Sequence, residues 1–174
     1  MNSITIEQTG EELALASEIH RNAAICAVRL SYSRLASRAL DEFPEGRIAV
    51  KFTVKSRAAE APKDRLRVQV DFSMAGTLEP QPTETKRGKR ITLISVNCAY
   101  TVDYLLRESF EPSIKQIKAF KDGNVIFNCW PYFREYLQES IQRMGLPPLT
   151  APFLRVQTKP PKAAKRDSGA PNSE

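Results

Sequence analysis

Two rhythms of apolar and polar residues divide the chain. Leu13, Ala16, Ile19 and Ala23 recur at spacings of three and four, which predicts an amphipathic helix over residues 9–23. Thr9 stands where an N-cap belongs, with Glu11 and Glu12 in the first turn. The period then falls to two. Cys26, Val28, Leu30 and Tyr32 alternate with polar or small residues, as do Ile48, Val50, Phe52 and Val54. The same holds for Leu66, Val68, Val70, Phe72 and Met74, and for Ile94, Val96, Cys98, Tyr100, Val102 and Tyr104. Four such segments without intervening helices predict a four-stranded antiparallel sheet with one apolar face, as a meander or a Greek key. Turn residues separate them: Pro44 between Asp41 and Gly46, Pro62-Lys63-Asp64, and a longer basic stretch from Gly76 to Lys89 that predicts a mobile hairpin tip.

After Arg107 the helical period returns. Ile114, Ile117 and Phe120 predict a helix that begins at Glu111-Pro112 and stops at Asp122-Gly123. A second follows, with Trp130, Phe133, Leu137, Ile141 and Met144 on one stripe, Pro131 at its start and Gly145 just past its end. Trp130, Phe133 and Leu137 are expected to pack on the sheet, while Tyr132 and Tyr136 lie further from that stripe and are candidates for an interface. From Pro147 the chain holds six of the twelve prolines, and no aromatic follows Phe153. Residues 146–154 therefore read as an extended arm with apolar anchors at Leu146, Leu149, Phe153 and Leu154, and residues 155–174 as a disordered tail. The expected class is α+β: a four-stranded antiparallel sheet over 24–106 with helices packed on one face, an N-terminal helix, two helices over 111–145, and a single domain over 1–154.

Composition adds bounds rather than chemistry. With 174 residues, 41% hydrophobic and 26% charged, the chain can bury a core without metal or disulfide support. Cys26, Cys98 and Cys129 are too scattered for a zinc site and are expected to be buried, reduced thiols. No apolar run approaches a membrane span and no signal peptide is visible, which points to a cytoplasmic protein without membrane insertion. The net charge is +6, of which residues 155–174 carry +3. The rest of the charge is too diluted to form the dense stripe of a nucleic-acid binder, although Lys86, Arg87, Lys89 and Arg90 keep a basic nucleic-acid-binding or structural module as the alternative.

Catalytic groups are sparse. His20 is the one histidine and has no evident orienting partner; Glu135 and Glu139 are four apart with no histidine to complete a metal site. No phosphate-cradling glycine motif occurs. The chain reads as a non-enzyme without cofactor or metal, and its apolar surplus reads as a surface for another polypeptide.

One stretch resembles a known family. Trp130-Pro131-Tyr132-Phe133-Arg134-Glu135-Tyr136-Leu137, followed by Gly145-Leu146-Pro147-Pro148-Leu149, is similar to the C-terminal signature of SecB chaperones. The resemblance implies an ATP-independent holdase, a homotetramer built as a dimer of dimers, that keeps unfolded preproteins soluble in long apolar grooves. It points to Tyr132 and Phe153, which join Tyr136, Leu146, Leu149 and Leu154 from the helix and the arm as the groove candidates, and makes Trp130, Pro131, Arg134, Glu135, Gly145, Pro147 and Pro148 the structural part of the motif. SecB proteins dock on the motor SecA through acidic sheet residues and a C-terminal extension. This chain is basic and its Lys159–Arg166 tail is unlike that extension, which weighs against SecA as a partner. The N-terminal helix resembles divergent SecB-like chaperones of toxin–antitoxin systems, whose client is an antitoxin. Export chaperone and antitoxin chaperone both stand.

Overall fold

The computed structural model describes residues 3–38, 48–62, 64–79 and 91–159. Strand β1 (Ser3–Gln8) leads into helix α1 (Gly10–Asn22) and then four long strands, β2 (Ala23–Ser37), β3 (Ile48–Glu60), β4 (Arg65–Leu78) and β5 (Ile91–Leu106). Helix α2 (Ile114–Phe120), a π-helical turn (Lys121–Val125), helix α3 (Ile126–Arg143) and strand β6 (Phe153–Thr158) complete the order. The four long strands form one antiparallel sheet in the order β2-β5-β4-β3. The first strand thus lies beside the last, which resolves the topology to a Greek key rather than a meander.

Period-two alternation builds the core. Leu66, Val68, Val70, Phe72 and Met74 of β4 and Val96, Cys98, Tyr100, Val102 and Tyr104 of β5 are buried on one face. The helices cover that face, and Phe133 stacks on Phe72 with ring centroids 4.7 Å apart. Trp130 sits beside both, 5.8 Å from Phe72 and 5.3 Å from Phe133, and its Nε1 donates to the Pro152 carbonyl at 3.0 Å. Phe133, Leu137 and Ile141 continue the stripe, each 1% exposed or less.

The helix ends follow local chemistry. At α1 the Thr9 side chain accepts from the Glu12 amide while the Glu12 carboxylate accepts from the Thr9 amide, a reciprocal cap. At α3 the chain leaves through Gly145 at φ +69°, with Leu146 N–H donating to Ile141 and Gly145 N–H to Gln142. That pairing closes the helix with a left-handed residue, which glycine adopts without a Cβ penalty.

Several features differ from the sequence reading. The segment before α1 is a strand, and it pairs in parallel with β6, Ile4 beside Leu154 and Ile6 beside Val156. Residues 155–158, read as the start of a disordered tail, therefore belong to a strand, and the Lys159 amide still donates to the Gln8 carbonyl at 2.7 Å.

Helix α2 is capped by Ser113 and begins at Ile114, which stands exposed rather than joining the apolar stripe. Asp122-Gly123 does not stop it. The chain continues through the π turn directly into α3, and Pro131 lies inside α3 rather than at its start. Gly123 serves close approach: a Cβ there would lie 2.3 Å from Oε1 of buried Gln8, whose Nε2 donates to the Ala119 carbonyl at 2.8 Å.

Strand β2 carries irregularities between Ile25 and Ala27 and between Leu30 and Tyr32. Its apolar-face residues are consequently Ile25, Val28, Leu30 and Leu35, while Tyr32 pairs with Ala99 on the opposite face. Cys98 and Cys129 are buried as expected, but Cys26, beside the first irregularity, is exposed.

The turn at 41–46 lies outside the described residues, as do Lys86, Arg87, Lys89 and Arg90 and the tail from 160 onward. Gly76 to Leu78, read as loop, belong to β4.

Candidate functional site

The helix layer does not cover the whole apolar face. α3 lies over β3, β4 and β5, where Trp130 and Phe133 each sit 6.4 Å from Phe52, and the apolar side of β2 is left open. Ile25 is 50% exposed, Leu30 45% and Leu35 43%, on a strand whose outer edge has no partner among the described residues. Tyr132 of α3 closes the strip from the helix side, 46% exposed. Its ring lies 6.4 Å from that of Tyr100, and the Tyr100 hydroxyl donates to the Tyr132 carbonyl at 3.0 Å. Tyr100 pairs with Leu30 across the sheet, which joins the strand residues and the helix residue into one surface. Burial raises the Tyr100 phenol well above its ordinary range, so the group stays a neutral donor. Tyr104 behaves alike: its buried hydroxyl accepts from Asn128 Nδ2 at 3.0 Å.

A second apolar cleft lies on the other flank. Ile4 and Ile6 of β1, Leu154 of β6, Phe52 and Val54 of β3 and Ile126 of α3 line a space of about 500 Å³. Its polar rim is held by the π turn, where Lys121 Nζ donates to Ser56 Oγ at 3.0 Å and to Asp122 Oδ1 at 2.9 Å. Ser56 also bonds Asp122, tying the turn to β3.

The residues expected to bind clients divide between these flanks. Tyr132 and half-buried Tyr136 face the β2 side. Phe153 is 57% exposed and lies under the Arg134 guanidinium, 4.8 Å from carbon to ring centroid, while Leu154 is buried in the second cleft. Tyr132 and Arg134 are two residues apart, about 200° around a helix, so Tyr132 and Phe153 do not share one surface. Leu146 and Leu149 are half-buried anchors against the core, and Pro147 and Pro148 are exposed on the arm between them. Of the structural motif, Trp130 is core, Pro131 and Glu135 are exposed, and Gly145 forms the helix exit.

Leu30 was legible only as sheet core and Ile25 and Leu35 fell outside the alternation read for β2, because nothing local marks its irregularities or which strand the helices leave bare. The Ile4 and Ile6 alternation was the available signal for β1, but six residues are too few to stand alone.

No group of three or more metal-ligating side chains occurs among the described residues, and His20 is exposed. Among them also, no helix is long and apolar enough to cross a membrane.

No family model and no curated protein matches the sequence. Among solved structures, the SecB-like chaperone of Mycobacterium tuberculosis, described in complex with a ChAD peptide from an antitoxin, aligns with a TM-score of 0.67 at 18% identity, covering 81% of this chain and 96% of that one. A protein of unknown function from Streptococcus agalactiae aligns with a TM-score of 0.38 at 6% identity over 75% of this chain and 97% of that one, too distant to bear on the fold. The chain has the fold of the SecB-like chaperones.

Proposed function

We propose that this protein is an ATP-independent holdase that binds unfolded or aggregation-prone polypeptide, with an antitoxin or an exported preprotein as its client. The observation that carries the reading is the open strip of Ile25, Leu30, Leu35 and Tyr132. A single exposed leucine means little, but a contiguous row along an unpaired strand edge is a surface for another chain. Each side chain gains up to about 1.5–3 kcal/mol on full burial, and the client's ordering cost offsets part of that sum. The likeness to a chaperone described with an antitoxin peptide supports the antitoxin as one client class.

The edge of β2, which no strand among the described residues pairs, also supports self-association. We assign the protein a homotetrameric assembly, a dimer of dimers, in the cytoplasm. SecA is not assigned as a partner, because the sheet face available to it is basic rather than acidic.

The test is light scattering of a chemically unfolded reporter diluted into ATP-free buffer. Suppression that persists at high salt is expected from apolar grooves. Suppression abolished by salt would point to a charge-driven, nucleic-acid-like mode, and none at any ratio would reject a general holdase.

A further inference from the structure

We propose that the face of the four-stranded sheet left uncovered by the described residues is a docking surface for an acidic polypeptide segment, separate from the apolar strip. The strand register places the residues. In antiparallel strands directly opposed residues share a face, so rows can be read across the sheet. One row runs Ala27, Asp103, Arg67, Glu60; another Tyr32, Ala99, Asp71, Lys55; a third Arg34, Asn97, Ser73, Thr53. Arg29 and Gln69 flank Thr101, Lys51 lies opposite Ala75, and Arg65 opposite Leu105. Arg57 reaches this face as well, since it bonds Asp71.

Among the described residues seven cations therefore share the face with three carboxylates, Asp71, Asp103 and Glu60, and the two aspartates are largely covered. The Asp103 carboxylate is only 6% exposed, covered by Arg29 and by Arg67, whose Nε donates to it at 2.6 Å. The two guanidiniums remain 57% and 50% exposed above it. Asp71 is covered in the same manner by Arg57, itself 68% exposed. Asp103, and less deeply Asp71 at 23% exposed, act as footings that hold arginines outward in fixed positions, which lowers the ordering cost of recruiting them. Around them Arg34, Lys51, Lys55 and Arg65 are exposed and have no ion pair among the described residues. A partner meets mainly cations, with Glu60 beside Arg67 as the exposed carboxylate of the face.

Charge complementarity selects an anionic partner, and the centre of the face selects polypeptide over nucleic acid. A depression of about 430 Å³ there is lined by Thr53, Gln69, Ser73 and Asn97. These amides and hydroxyls can donate to and accept from a peptide main chain. Tyr32 is the one exposed aromatic of the face among the described residues, too few for the stacking platforms on which single-stranded nucleic acids bind.

The experiment uses fluorescence anisotropy of the full chain with a short labelled peptide of alternating Glu and Ser, beside a Lys-Ser peptide and an oligothymidine. The acidic peptide alone is expected to bind at low salt and to be released as salt rises. Arg34→Glu with Lys55→Glu should weaken it by about tenfold or more, with melting temperature and aggregation suppression unchanged, since neither side chain is buried or paired. Arg34→Gln with Lys55→Gln should give a smaller loss in the same direction. Absence of acidic-peptide binding at low salt, equal binding by the charge-reversed variant, or tighter binding of the oligothymidine would each overturn the proposal. Because the apolar strip lies on the other face, a failure here leaves aggregation suppression intact and is distinguishable from failure of the holdase reading.

Discussion

At the scale of single residues, two side chains show how burial sets role. Trp130 fills the centre of the layer between α3 and the sheet and satisfies the Pro152 carbonyl with its indole N–H. Trp130→Ala is expected to cost about 3–5 kcal/mol in urea unfolding, through lost packing and an orphaned acceptor. Asp103 is the polar counterpart. The Arg67 hydrogen bond, with Arg29 nearby, holds its carboxyl below the usual aspartate range despite burial, which acts in the opposite direction. A lowered folded value means its contribution is fully present above about pH 4 and is lost as pH falls through that lowered value. Asp103→Asn should therefore melt below the parent at neutral pH, and the difference should shrink in acid. A constant difference down to pH 2 would show that the carboxylate charge contributes nothing.

At the scale of elements, the parts that could be read from the sequence are those with local signals. Thr9 with Glu12 marks one end of α1, and Gly145 with the Trp130–Ile141 stripe marks α3, because caps and periodicity act within a few residues. The two-strand sheet was not legible, since β1 and β6 are at opposite ends of the chain and neither carries a turn signature. Nor were the β2 irregularities, which invert Tyr32 relative to Leu30 without a glycine to announce them. Asp122-Gly123 misled for a physical reason: glycine there answers to Gln8 of a distant strand, not to a helix end. Gly123→Ala is accordingly expected to destabilise by about 1–3 kcal/mol as an overpacked contact. Adding Gln8→Ala should recover part of that loss, because the two residues share one space. Strict additivity in the double-mutant cycle would show that they do not meet.

At the scale of the whole molecule, one fact organises the rest: the helices cover β3, β4 and β5 of the four-stranded sheet and leave much of β2 bare. What they leave bare on their own side is an apolar strip along β2. What they never cover is the opposite, basic face. The first suits unfolded polypeptide, the second an acidic segment, and neither needs a catalytic group. The motif around Tyr132 located the strip's helical border in the sequence, while its strand border at Leu30 emerged only once the register was known. The most direct measurement of the central claim is aggregation suppression by Leu30→Ser with Tyr132→Ser. Both side chains are about half exposed, so the melting temperature should stay close to the parent's, while suppression of reporter aggregation falls several-fold. Full suppression by a folded double variant would contradict the strip as the client surface.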